Sequence, residues 1–240
     1  MKDNRPHPLI FIIGISIFIA SGCKKETSQA SSSSSASSMH FALNAVNTAV
    51  SLNTVQPGPA GATSRVNGVT IQWISGSATA TLIKFEAKNA ADEVEFKSTV
   101  QQTVNLFDSN AMIGNISIPK GSYKEIEFKA ELNAVSGNHS IDLEGQVSGI
   151  PGINSIHFQS DENIEIKGGK DSVTITDGNA NNVKTLIDLS MASQAITTTD
   201  LSNAVQANGV VLISQDINKD LYKRIVANLR HLEREAEFHH

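Results

Sequence analysis

Hydrophobic and polar residues alternate along most of the chain after about residue 66. The clearest example is Ile126–Leu132, where apolar and charged residues alternate strictly. A period of two places one side of a strand in a core and the other side in water. Val69–Trp73 and Thr81–Ala87 alternate in the same way, and we expect a turn between them at Gly76-Ser77.

Shorter stretches continue this pattern, separated by Gly, Asn, Asp and Pro at intervals of about 8–12 residues. Further strands are predicted at Val94–Phe96, Val104–Leu106, Ile116–Ile118, Ile141–Leu143, Ile156–Phe158, Ile164–Ile166 and Val173–Ile175. Many short, half-buried strands with regular turn signals are typical of an antiparallel sandwich or barrel. The sequence therefore predicts a mainly β protein, for which we expect an antiparallel β-sandwich.

The last quarter of the chain changes to helical spacing. Thr199-Asp200 can cap a short helix over Leu201–Gln206, and Val210–Ile213 forms a short apolar run. Apolar residues then recur at Leu221, Ile225, Leu229 and Leu232. This spacing predicts a C-terminal amphipathic helix over about residues 218–236. We expect its apolar stripe to pack on the sandwich, with a partner or a membrane surface as the alternative.

The N-terminus has the pattern of a secretory signal peptide over residues 1–22. Lys2 and Arg5 precede an apolar run from Leu9 to Ala20, which small residues close. This run is shorter than the roughly 17–25 residues that a membrane-spanning helix needs. The sequence therefore predicts export of the protein.

Cys23, the only cysteine of the 240 residues, directly follows this signal and so has no partner for an intrachain disulfide. The segment Ala20-Ser21-Gly22-Cys23 resembles the lipobox of bacterial lipoproteins. The resemblance implies that Cys23 carries diacylglycerol and palmitate and becomes the mature N-terminus. Lys24 stands where the inner-membrane retention signal has Asp, which implies an outer-membrane lipoprotein facing the periplasm or the cell surface.

Residues 23–38 form a Ser-rich segment without apolar periodicity. Such linkers are flexible coils whose root-mean-square end-to-end distance is roughly 5–6 Å × √n for n residues, which gives about 20 Å for Lys24–Ser38. We expect residues 23–38 to tether a single domain formed by residues 39–240. The net charge is −5 and no Lys/Arg-rich run is present, which argues against a nucleic-acid partner.

One segment resembles a known fold family. Pro119-Lys120-Gly121-Ser122-Tyr123, followed by Ile126, is similar to the turn into a strand of transthyretin-like and related Ig-like β-sandwiches. With its flanking strands it also resembles uncharacterised bacterial lipoproteins that carry domains of unknown function. The resemblance implies an Ig/transthyretin-like sandwich, and no activity.

Catalytic motifs are absent from the sequence after the signal. It has no G-x-S-x-G, H-E-x-x-H or G-x-G-x-x-G segment. His139, Ser140 and Asp142 bring three triad residue types together, but neighbours on a strand point to opposite faces. His157 is expected on the solvent face of its strand. We therefore expect no enzymatic activity and no cofactor.

Two segments match the start of a calcium loop. Asp177, Asn179 and Asn181 have the spacing of positions 1, 3 and 5, with Asp188 at position 12. The alternative is a hairpin, because Asp-Gly at 177–178 is a strong hairpin signal and strand patterns flank it. We favour the hairpin and therefore no metal.

The second segment is Asp216-x-Asn218-x-Asp220, which has an apolar residue at position 6. Capping of the following helix is the better account there.

The function is therefore expected to be binding or structural support at the envelope, through an unidentified protein or glycan partner. A carbohydrate- or calcium-dependent adhesion module is the alternative. Carbohydrate binding needs exposed aromatic side chains, so a water-facing Trp73 near Tyr123 would favour it. Trp73 shares a strand face with Val69 and Ile71, so we expect it in the core.

Overall fold

The computed structural model describes residues 36–52, 68–90, 93–176, 181–230, 233–235 and 237–239. Short and long strands dominate this part of the chain, and three helices lie near its C-terminal end. The strands are β1 (Ala36–Val46), β2 (Ala49–Leu52), β3 (Val69–Lys88), β4 (Glu93–Asn105), β5 (Met112–Pro119), β6 (Gly121–Leu132), β7 (Ile141–Ser148), β8 (Ser155–Ser160), β9 (Ile164–Ile175), β10 (Asn181–Asp188), β11 (Gln206–Ala207), β12 (Val210–Ile213), β13 (Glu233–Glu235) and β14 (Glu237–His239). The helices are α1 (Leu189–Gln194), α2 (Thr198–Asn203) and α3 (Lys219–Arg230).

The strands form two open sheets. The small sheet has the order β14-β10-β1-β5, and the large sheet has the order β11-β12-β8-β7-β3-β6-β9-β13. β2 and β4 also pair with β3 in the large sheet. The predicted mainly β fold is therefore confirmed.

β3 is the central strand of the large sheet. Its first half pairs with β2 and β7, and its second half pairs with β4 and β6. The predicted turn at Gly76-Ser77 is wrong, because β3 runs through it without a break. A Cβ atom on Gly76 would lie 2.5 Å from Leu143 Cδ2, so glycine permits close packing here and makes no turn.

The two sheets pack face to face through aromatic side chains. The ring centroids of Phe41 in β1 and Phe128 in β6 are 5.1 Å apart, and those of Phe128 and Phe85 in β3 are 5.0 Å apart. All three rings are buried. This packing of one sheet on the other makes the fold sandwich-like.

Helices α1 and α3 pack against the large sheet. The Trp73 indole N–H of β3 donates to Ser193 Oγ of α1 at 2.9 Å. Tyr222 of α3 stacks on Phe158 of β8, with ring centroids 5.8 Å apart. Helix α3 ends at Arg230, earlier than the predicted 236, and two short strands follow it.

The expectation of purely antiparallel pairing is wrong. β1 pairs with β10, β8 with β12, and β9 with β13 in parallel. Alternation along one strand sets which face is buried, but it does not determine the direction of a strand that is distant in sequence.

The chain changes sheets between β5 and β6. Only Lys120 separates Pro119, the last residue of β5 in the small sheet, from Gly121, the first residue of β6 in the large sheet. We call this connection the corner. The segment that resembles transthyretin-like sandwiches therefore lies at a change of sheet.

β1 begins at Ala36, which is three residues before the predicted start of the domain at Met39. In the small sheet Ala36 lies opposite Pro119, and the Ser37 hydroxyl donates to the Thr176 carbonyl at 2.7 Å. The chain therefore enters the fold beside the corner.

Candidate functional site

The outer surface of the large sheet carries alternating charges across four strands. These side chains lie on the side opposite the buried residues of β3, β6 and β9 and the half-buried residues of β4, as the period of two requires. We call this surface the charged face; its members are Glu95 and Lys97 of β4, Lys84 and Glu86 of β3, Glu127 and Lys129 of β6, and Glu165 and Lys167 of β9.

The strand register arranges the charged face in rows of like charge. Glu86 lies opposite both Glu95 and Glu127, which makes an acidic row. The neighbouring basic row consists of Lys97, Lys84, Lys129 and Lys167. Like charges directly opposite one another are destabilising, so each row depends on the other for neutralisation.

Ion pairs between the two rows supply that neutralisation. Lys84 Nζ lies 2.6 Å from Glu86 and 2.9 Å from Glu95, and Lys129 Nζ lies 2.6 Å from Glu86 and 2.9 Å from Glu127. On β9, Lys167 Nζ lies 3.0 Å from Glu165, which stands on the other side of the basic row. Glu86 is therefore shared by two lysines at the centre of the network.

The network fixes the ionisation of its central groups. Hydrogen bonds from Lys129 and then Lys84 lower the pKa of Glu86 to about 2. The same bond with Glu86 raises the pKa of Lys129 above its ordinary value. Neither Glu86 nor Lys129 exchanges a proton near neutral pH, so these two groups can attract a partner by charge but are not suited to acid–base catalysis.

A smaller polar cluster lies on β7 and β8. Asp142 accepts hydrogen bonds from Gln159 Nε2 at 3.1 Å, and His157 Nε2 lies 2.8 Å from its other oxygen. His157 is on the outer face of its strand, as expected. No sequence signal joined Asp142 to His157, because their contact depends on the β7–β8 register.

The three candidate triad residues do not act together. His139 Nδ1 lies 2.6 Å from Asp161 Oδ1, while Asp142 contacts His157. The Ser140 hydroxyl is buried and donates to the Ser160 carbonyl at 2.7 Å. A nucleophile must be within hydrogen-bond reach of its base, and this arrangement separates the two.

The calcium candidates are only partly described. Asp177 and Asn179 lie outside the described residues, and of Asn181 only the backbone, at the start of β10, is described. Asp188 is 2% exposed and caps α1, because its Oδ1 accepts from the Ser190 N–H at 2.9 Å. Among the described residues, no group of three or more His, Cys, Asp or Glu side chains is placed to hold a metal ion.

Asn218, from the second calcium candidate, has a role that its spacing did not predict. Its Oδ1 accepts from the Val205 N–H at 2.9 Å, and its Nδ2 donates to the carbonyls of Val205 and Leu212 at 2.9 and 2.7 Å. The side chain thus binds backbone groups beside β12 as a neighbouring strand would. The Asn218 carbonyl, and not its side chain, accepts the Tyr222 N–H at the start of α3.

Trp73 and Tyr123, whose exposure would have favoured carbohydrate binding, are buried. Trp73 is 1% exposed and Tyr123 is 4% exposed. The expectation that Trp73 belongs to the core is confirmed. Neither side chain can provide a surface on which a sugar ring could stack.

Cys23 lies outside the described residues, so its lipidation stays a prediction. Among the helices of the described part, none is long and apolar enough to cross a membrane. No protein-family model, no curated protein and no solved structure matches the chain.

Proposed function

We propose that the chain is a lipid-anchored, non-enzymatic lipoprotein of the bacterial outer membrane, whose Ig/transthyretin-like domain acts by binding or as a structural element. The observation that carries this proposal is Cys23, which directly follows a short apolar signal and small residues. Two acyl chains hold a protein stably on a bilayer, whereas one chain binds reversibly.

The arrangement of the candidate catalytic residues in the described domain supports a non-enzymatic role. The candidate base His139 contacts Asp161, and the candidate nucleophile Ser140 is buried against a backbone carbonyl. At the centre of the charged face Glu86 and Lys129 stay ionised, which suits recognition by charge complementarity. The burial of Trp73 and Tyr123 argues against the alternative of a carbohydrate-binding module.

The test is to replace Cys23 by serine and to follow both location and lipid. In a Gram-negative host, the unaltered protein should sediment with membranes and incorporate labelled palmitate. Cys23→Ser should be unlabelled and soluble, and its domain should remain folded, because the predicted tether separates the lipid from β1.

A matched control keeps a thiol but moves it away from the signal. Cys23→Ser combined with Ser33→Cys should behave like Cys23→Ser alone, since the lipobox requires the cysteine at its own position. Retention of Cys23→Ser in the membrane pellet, or an unlabelled unaltered protein, would contradict the proposal.

A further inference from the structure

The two sides of the sandwich differ in how the edges of its sheets are covered. On one side, β13 pairs with β9 and β14 pairs with β10, so each sheet gains a short strand from the end of the chain. On the other side β4 pairs only with β3 within the described part of the chain. An uncovered edge strand presents unpaired N–H and C=O groups to another strand.

The regular part of the β4 edge is short and has a defined centre. The β3–β4 register is uniform from Lys88↔Glu93 to Leu82↔Thr99, and it shifts between Ala80 and Leu82. Such a shift marks a bulge, which bends the strand and ends regular pairing. The regular stretch is therefore Glu93–Thr99, and Phe96 is its middle residue.

The charges of this stretch are complementary to themselves. Glu95 and Lys97 lie one residue on either side of Phe96 and on the outer face. In an antiparallel pair centred on Phe96, residue 95 of one copy lies opposite residue 97 of the other. Each Glu95 then faces Lys97 of the second copy, and the arrangement occurs twice.

This pairing also completes the rows of the charged face. Within one copy the acidic row ends at Glu95 and the basic row ends at Lys97, both at the β4 edge. The side chain of Lys97 is 68% exposed, and its Nζ lies 3.9 Å from Glu95 of its own chain. A second copy would place the acidic row of one chain against the basic row of the other, which is the favourable cross-strand combination.

We propose that β4 is a self-association edge, at which a second copy of this chain pairs antiparallel about Phe96 and joins the two large sheets into one. The interface is isologous, so it closes at two copies and leaves no further β4 edge. A strand that lacks an acidic residue opposite Lys97 and a basic residue opposite Glu95 would not have this complementarity, so the charges that favour a second copy disfavour such strands.

The test reverses the charges of Glu95 and Lys97 in separate variants of the full chain. Each protein is solubilised in detergent, and its oligomeric state is measured by sedimentation velocity in a solvent that matches the density of the detergent. The unaltered chain should be a dimer. Glu95→Lys should be a monomer, because lysines would then face lysines, and Lys97→Glu should be a monomer, because acids would face acids. An equimolar mixture of the two variants should dimerise, since every facing pair in it is again Lys with Glu.

Glu165→Lys is the matched control, because it reverses a similarly exposed charge of the same face at a distance from β4. It should remain a dimer, and circular dichroism should show that all variants are folded. The proposal would be overturned if the unaltered chain were a monomer or if both single variants remained dimers. It would also be overturned if the mixture of the two folded variants stayed monomeric. If Glu95→Lys does not fold, the double exchange Glu95→Lys/Lys97→Glu should restore the dimer that Lys97→Glu loses, and failure to do so overturns the proposal equally.

Discussion

The Tyr123 hydroxyl donates a hydrogen bond to the Pro119 carbonyl oxygen at 2.8 Å. The bond spans the corner at which the chain leaves the small sheet and enters the large one. Burial raises the pKa of the Tyr123 phenol above its ordinary value, so the hydroxyl keeps its proton and remains a donor. The Tyr123 ring also packs edge-on against Phe85, with centroids 5.5 Å apart. Tyr123 therefore fixes both the corner and the core beside it.

Tyr123→Phe should lower the free energy of unfolding by about 0.5–1.5 kcal/mol, because the ring still packs while the half-buried Pro119 carbonyl loses the hydrogen bond from the Tyr123 hydroxyl. Equilibrium denaturation in urea measures this difference. Ser122→Ala, at an exposed neighbouring position of β6, is the control and should have little effect. Equal stability of Tyr123→Phe and the unaltered protein would show that the hydroxyl does not hold the corner.

Ser193→Ala should destabilise the contact of α1 with β3. The Ser193 hydroxyl accepts from the Trp73 indole N–H and donates to the Leu189 carbonyl at 3.1 Å. The variant leaves a buried N–H without an acceptor, which costs about 1–3 kcal/mol. Because Trp73 is the only tryptophan, its fluorescence reports on this site directly. Ser190→Ala on the same helix is the control, and a Ser193→Ala variant as stable as that control would contradict the assignment.

The charged face should make acid stability depend on Glu86. Its folded pKa is about 2 against an ordinary value of 4.5. As the pH falls from 4.5 to 2, the unfolded chain binds a proton at this position and the folded chain does not. The contribution of Glu86 is therefore complete above pH 4.5 and is lost as the pH falls through the folded pKa.

Glu86→Gln should consequently flatten the decrease of melting temperature with pH between about 4.5 and 2, while it lowers stability at neutral pH. Melting curves at several pH values measure both effects. Glu144→Gln, on the same outer surface but outside the network, is a suitable control. A pH profile of Glu86→Gln parallel to that of the unaltered protein would exclude the shift.

Calcium should not stabilise the protein. Asp188, one of the two carboxylates of the candidate loop, already caps α1. A loop with so little charge would bind at best with a Kd of roughly 10⁻⁴–10⁻³ M. We expect no change of melting temperature at about 10 mM calcium, a concentration at which binding of this strength would be visible through its linkage to folding. A rise that disappears in Asp177→Ala would instead support the calcium-dependent adhesion module.

Alternation predicted the strands whose two faces differ most, such as Ile126–Leu132 within β6 and Ile164–Ile166 within β9. It failed where glycine had a packing role, as at Gly76, which is not a turn but lies close to Leu143. It also missed β1, whose first residues belong to the Ser-rich segment. These failures have a common cause. At each position the tertiary contacts stabilise a strand conformation that the local residue types, glycine and serine, do not favour.

The candidate surface was less predictable than the strands. Each strand of the charged face shows alternating Lys and Glu, and this much follows from the sequence. The rows of like charge and the shared position of Glu86 depend on the register between β3, β4 and β6. Register is set by bulges and by packing of distant strands, which one sequence does not specify.

The entry of the chain beside the corner has a mechanical consequence. β1 is paired on both sides, with β10 from Met39 to Val46 and with β5 from Ala36 to Ala42. A pulling force on the segment before Ala36, directed along the strand, loads both ladders in shear. Many hydrogen bonds must then break together, whereas a force at right angles to the strand would open them one after another. A domain held by this segment would therefore resist drag through the most extensively paired strand of its small sheet.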